Sequence, residues 1–179
     1  MFTPEAMLDF INARDHRLMR KVNRWSAPRW IRLWMICATR GGDGWLWYAL
    51  ALTVWLFGGE RGPRAVAACV LPAAFGIVCF LTLKRATGRM RPCQIDRHCW
   101  STLLPPDRFS FPSGHTITAF AITVPLGSFY PEMQAGLGFI ALSIASSRVL
   151  LGMHFLSDVV AGALLGSALG YASFAMFVW

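Results

Sequence analysis

The chain has 179 residues, 55% of them hydrophobic and only 15% charged, with a formal net charge of +8. Its length allows one ordinary soluble domain, but apolar residues this numerous and this blocky weigh against one. The basic excess does not indicate nucleic acid. Eight of the seventeen Lys and Arg precede residue 41 and others flank apolar runs, which suits anionic headgroups or an anionic substrate.

Thr3-Pro4 makes a good helix start, with a hydroxyl cap followed by Pro at the first helical position. Met7, Leu8, Phe10, Ile11, Leu18, Met19 and Val22 then recur at helical spacings. The stripe fits an amphipathic helix lying in the membrane interface, or one packed on the protein's own bundle. Met1–Asn23 lacks the uninterrupted apolar core of a cleaved signal peptide, because Arg14, Arg17, Arg20 and Lys21 interrupt it. Ala27–Thr39 is apolar but short and carries Arg29 and Arg32. It is expected to be a second interfacial helix, with a short crossing as the alternative.

Beyond the turn Arg40-Gly-Gly-Asp-Gly44, apolar runs recur near Trp45–Phe57, Ala65–Leu83, Ile117–Phe129, Ala135–Ala145 and Val159–Trp179. With their flanks, most approach the ~20 residues that cross the hydrocarbon as helix. Lipid offers backbone groups no water, so such segments are expected to be helices. The fold class is therefore all-α: an integral membrane helical bundle of five or six transmembrane helices, with interfacial helices over residues 1–43 and a transmembrane domain over 44–179. Gly58–Pro63 and Tyr130–Met133 are turns on one face. The segments 84–112 and 147–154 fall on the other, and long loops in compact domains are usually functional.

That second face gathers Lys84, Arg91, Ser113, His115, Arg148, His154 and Asp158. His154 and Asp158 are four apart and share one helix face. Gly162, Gly166 and Gly170 continue the same ladder, and small residues at that spacing admit a neighbouring helix. A buried Asp there can accept the ring N–H of His154 and leave the other nitrogen as a nucleophile. The plainer reading is a hydrogen bond pinning two helices. Lys84, Arg91 and Arg148 favour the first, because only Asp96 and Asp107 lie in the long loop to balance them, and guanidinium groups suit phosphate. Arg85 and Arg89 read as snorkelling residues at a helix end. Phe111-Pro-Ser-Gly-His115 opens a helix, whose first N–H groups and dipole form an anion site. Gly114 allows close approach, Ser113 adds a hydroxyl, and His115 stands where it can protonate a leaving oxygen.

Three signatures stand in order: Lys84-x6-Arg91-Pro92, Pro112-Ser-Gly-His115 and Ser147-Arg148-x5-His154-x3-Asp158. Together they resemble the type 2 phosphatidic acid phosphatase (PAP2) superfamily of membrane lipid phosphatases, over about residues 44–179. The resemblance implies a lipid phosphatase without metal or other cofactor, working through a phosphohistidine. His154 is then the nucleophile, Asp158 its orienting partner and His115 the proton donor. Lys84, Arg91, Ser113, Gly114 and Arg148 hold the phosphoryl oxygens. Soluble haloperoxidases of the same superfamily use similar residues, but the apolar spans argue against that branch. The implied substrates are undecaprenyl pyrophosphate, phosphatidic acid or phosphatidylglycerol phosphate. A phosphotransferase using the same phosphohistidine, and a non-catalytic lipid-binding protein, are the alternatives.

The expected partners are a phosphorylated lipid and the membrane, with no nucleic acid. Counting Lys and Arg by loop places the site in the cytoplasm, whereas the resemblance implies the extracytoplasmic face of a bacterial inner membrane. Cys93 and Cys99 flank Gln94–His98 in the long loop. They are expected to form a disulfide on an oxidising face, with two free thiols as the alternative.

Overall fold

The structure is a computed structural model and describes residues 3–95 and 108–178. Among these residues the α-helices are α1 (Pro4–Arg24), α2 (Arg29–Gly41), α3 (Trp45–Phe57), α4 (Gly62–Thr87), α5 (Pro92–Ile95), α6 (Gly114–Phe129), α7 (Gln134–Leu150) and α8 (Leu156–Phe177). Thr3 caps α1 as its hydroxyl implies, with Oγ1 accepting the Ala6 N–H at 3.3 Å. The sequence runs and the helices coincide closely because each run is bounded by a turn signal that backbone sterics enforce.

α6 is the axis of the bundle. It packs against α4, α7 and α8, while α3 lies on α4, α2 along α7, and α1 touches α8. The interior is built from small residues: Ala65, Ala68, Ala119, Ala121 and Ala141 are buried. Large apolar side chains such as Trp55, Phe57, Phe75, Phe139, Leu142 and Leu164 point outward. This is the arrangement lipid permits. Apolar side chains lose little by facing hydrocarbon, and helix association rests on close backbone packing.

Gly162, Gly166 and Gly170 are all buried against α6. A Cβ at Gly162 would lie 2.9 Å from the Ser113 carbonyl oxygen, and one at Gly170 would lie 2.8 Å from Pro125 Cδ. The ladder thus seats the start of α6 directly on the start of α8. The Ser113 N–H donates to the Asp158 carbonyl at 3.1 Å across that contact.

Among the described residues three helical stretches are long and apolar enough to cross a membrane: Gly59–Thr87, Pro131–Leu150 and Leu156–Phe177. α3 is apolar but has 13 residues, and α6 has 16, mostly buried by its neighbours. The protein is thus an all-helical membrane protein with three clear span candidates.

Candidate active site

The turn between α7 and α8 sets the position of His154. Gly152 takes φ +70°, a left-handed conformation that glycine adopts without a Cβ clash. The chain then folds back so that the N–H groups of Met153 and His154 both donate to the Arg148 carbonyl at 3.0 Å. Asp158 Oδ2 accepts the Phe155 N–H at 2.8 Å and closes the first turn of α8. Arg148, His154 and Asp158, scattered over eleven positions of sequence, are thereby brought to one side of a single turn.

The base of the long loop comes to meet them. Met90 and Phe109 form an isolated antiparallel bridge, and the Ser110 N–H donates to the Arg89 carbonyl at 2.7 Å. The Cys93 N–H reaches the Gly152 carbonyl at 3.0 Å. These bonds deliver two groups to the His154 ring. Arg91 Nη1 donates to the Met153 carbonyl at 3.0 Å and stands 3.1 Å from Nε2. The Ser110 carbonyl lies 2.6 Å from Nδ1. A carbonyl only accepts, so Nδ1 carries the proton and Nε2 keeps its lone pair. Burial, followed by the Arg148, Arg91 and Lys84 cations, holds this imidazole well below its ordinary range. Burial and these cations thus keep the His154 ring neutral, with its proton on Nδ1 toward Ser110.

The expected partnership of His154 and Asp158 takes a different form. Asp158 Oδ2 is 3.8 Å from Nδ1, and the hydrogen bond from the ring goes to Ser110. Asp158 spends its oxygens on the Phe155 N–H and on Arg89 Nη1, at 2.8 and 2.6 Å. It sits behind the ring in a fully buried position.

His154 opens onto a cavity of about 550 Å³. Lys84, Arg91, Gly114, His115, Arg148 and His154 line its polar end, and Leu50, Val54, Ala73, Ile77, Ile122 and Leu126 line much of the remainder. Arg148 is bonded to the buried Thr39 hydroxyl of α2, and the Lys84 ammonium lies 5.1 Å from the Phe80 ring centroid. Ser113 is placed less favourably for phosphate than its motif implied. It is fully buried and accepts the Thr116 hydroxyl at 2.9 Å, so Gly114 and His115 form the wall there.

Arg89 departs most from its sequence reading. It does not snorkel. One guanidinium nitrogen binds Asp158 at 2.6 Å and Ser157 at 2.7 Å, and the other binds Asp15 at 2.7 Å and Asn12 at 3.0 Å. The amphipathic stripe of α1 accordingly includes a polar patch docked on the bundle, with Asp15 buried, while Met7, Leu8 and Phe10 remain exposed. Asp43, unremarked in sequence, contacts His115 Nε2 at 2.8 Å. Cys93 is a free thiol, and Cys99 lies outside the described residues, as do Asp96 and Asp107.

An all-helical membrane protein with a neutral histidine at the cation-lined end of an apolar cavity is the class that fold and site define. Residues 64–179 match the PAP2 superfamily, and the chain belongs to that family. It is 33% identical over 89 residues to a lipid A 1-phosphatase of Rhizobium johnstonii, covering 48% of this chain and 36% of that protein's length. It is 27% identical over 140 residues to an undecaprenyl-diphosphatase of Sulfolobus acidocaldarius, covering 78% of this chain and 67% of the relative. The fold is similar to that of a transmembrane PAP2-type phosphatidylglycerolphosphate phosphatase from Bacillus subtilis. The TM-score is 0.73 at 21% identity, covering 93% of this chain and 85% of that one.

Proposed function

We propose that the protein is a membrane lipid phosphatase that hydrolyses a lipid phosphate monoester or pyrophosphate through a phosphohistidine at His154. The observation that carries this reading is the Nε2 lone pair, fixed by the Ser110 carbonyl and facing the cation-lined end of an otherwise apolar cavity. Nε2 attacks phosphorus as the P–O bond to the lipid breaks. The Arg91, Lys84 and Arg148 cations, with the Gly114 N–H, oppose the charge that develops on the phosphoryl oxygens. Asp158 and the Ser110 carbonyl stabilise the cationic ring of the phosphohistidine. His115 gives a proton to the departing oxygen and then takes one from the water that releases phosphate. The apolar length of the cavity suits an acyl or polyprenyl chain.

Relatives are named for lipid A 1-phosphate and for undecaprenyl diphosphate, and a structural neighbour for phosphatidylglycerol phosphate, so the assay is a panel of these lipids with phosphatidic acid. Phosphate release is expected from at least one of them, and at the same rate in EDTA, because the oxyanion is met by fixed cations. Loss of activity in EDTA that a divalent ion restores would overturn the metal-free mechanism. Transfer of phosphate to an added lipid alcohol, with none to water, would make the protein a phosphotransferase.

We further infer five crossings, α3, α4, α6, α7 and α8, with the site on the extracytoplasmic face. Lys84, Arg89, Arg91 and Arg148 are engaged at the site, which removes them from the positive-inside count. Arg108 is exposed at the base of the site-side loop. In a cysteine-free background, Arg108→Cys is expected to react with a membrane-impermeant maleimide in intact cells. Reaction only after permeabilisation would reverse the orientation.

A further inference from the structure

The His115 ring is gripped from outside the family match. The turn Gly41–Gly44 between α2 and α3 lies across it, more than one helix before residue 64, where that match begins. Asp43 Oδ1 stands 2.8 Å from His115 Nε2. A Cβ on Gly42 would fall 2.9 Å from His115 Cδ2 and 3.2 Å from Ile144 Cγ2, so the turn is pressed between the ring and α7. The turn is itself anchored, since Trp45 Nε1 donates to the Arg40 carbonyl at 2.9 Å. Both Asp43 and His115 line the polar end of the cavity.

We propose that Asp43 is the positioning residue of the proton donor: its carboxylate holds the Nε2 proton of His115, so that Nδ1 is the nitrogen that gives and takes the proton at the reacting phosphate. This rests on the phosphatase reading above. In the first half-reaction the imidazolium gives its Nδ1 proton to the oxygen leaving phosphorus, as the His154 N–P bond forms and the P–O bond breaks. The neutral ring keeps its Nε2 proton on Asp43, so the Nδ1 lone pair faces the site. In the second half-reaction Nδ1 takes a proton from water as water attacks phosphorus and the N–P bond breaks. Among the described residues Asp43 is the hydrogen-bond partner at Nε2 that selects this tautomer.

The charges facing His115 make the carboxylate count. Lys84 on α4 and Arg148 on α7 oppose the imidazolium, while Arg91 and the neutral His154 line the same end of the cavity. Arg40, on the same turn, binds the other Asp43 oxygen at 3.5 Å on the exposed side. A carboxylate at hydrogen-bond distance favours the protonated ring.

The test compares Asp43→Asn, Asp43→Glu and His115→Ala on an alkyl lipid phosphate and on an aryl phosphate whose leaving group departs without a proton. General acid–base catalysis contributes about 10²–10⁴-fold, and weakening its alignment is expected to cost roughly tenfold or more. Asp43→Asn should lower kcat/KM, which reads the first half-reaction alone, by that amount on the alkyl substrate and by less than about threefold on the aryl one. The high-pH limb of its rate profile should move to lower pH, since the lost carboxylate favoured the protonated ring. Asp43→Glu should recover part of the rate, and matched thermal unfolding separates a folding defect from a chemical one. Wild-type rates in Asp43→Asn beside a crippled His115→Ala would overturn the proposal and leave the phosphatase reading intact. Equal losses of kcat/KM on both substrates would also overturn it. Full alkyl activity in His115→Ala would instead remove the proton donor on which both readings draw.

Discussion

Replacing His154 by Asn is expected to abolish phosphate release while leaving the protein folded. The expected fall is at least ~10⁴-fold, the scale seen when a nucleophile is removed from a site whose other groups remain. Asn, unlike Ala, keeps an N–H near the place of Nδ1 and so keeps the bond to the Ser110 carbonyl, now 2.6 Å long. His154→Ala should be equally inactive but less stable, by about 1–3 kcal/mol, because it strands that buried carbonyl. Rapid acid-free quenching with labelled substrate should trap an alkali-stable, acid-labile phosphoenzyme in the wild type and none in His154→Asn. A His154→Asn protein within tenfold of wild-type turnover would contradict the covalent mechanism.

The parts of this site that the sequence carried are those that depend on residue type at fixed spacing. Lys84, Arg91, His115, Arg148 and His154 were legible because each belongs to a spaced motif, and the cavity brings all of them together. The glycine ladder was legible for the same reason, since a period of four on a helix is a statement about one face. The Ser110 carbonyl was not legible. Every residue has a carbonyl, so nothing in a sequence marks the one that meets Nδ1. Asp43 and Thr39 lie on a turn and a helix that reach the site only through packing on α6 and α7.

Arg89 shows a further limit. From sequence, an arginine just past a long apolar helix is indistinguishable from a snorkelling one, because the residue that distinguishes it is Asp15, far upstream on another helix. The signal available was compositional. α1 is an amphipathic helix with an acid at position 15 near a run of cations, a pattern that a helix resting on anionic lipid has no reason to carry. The polar patch is therefore a docking patch that ties α1 to the start of α8 through Arg89.

Arg89→Ala is expected to be the most destabilising single change on the polar face. The guanidinium bridges Asp15, 5% exposed, and Asp158, fully buried, and its carbon lies 4.3 Å from the Phe155 ring centroid. Alanine removes the shared counter-charge and leaves two buried carboxylates near each other. Breaking a buried ion pair from one side costs about 3–5 kcal/mol, well above the value of an exposed pair. Lysine restores a charge but not the fork that reaches both acids, so Arg89→Lys should recover only part of the loss. Asp15→Asn should be milder, since Arg89 keeps Asp158 and only the seat of α1 is weakened. The pH dependence has a definite sign. A guanidinium attracts a carboxylate only while the carboxylate is ionised, so this stabilisation is lost toward acid. The gap between wild type and Arg89→Ala should therefore be widest near neutrality and close toward acid. Thermal unfolding in detergent from pH 7 to pH 4, with limited proteolysis of α1 as a second readout, measures both effects. An Arg89→Ala protein within about 1 kcal/mol of wild type at pH 7, its α1 still protected, would mean that the bridge does not hold the helix or support Asp158 behind His154.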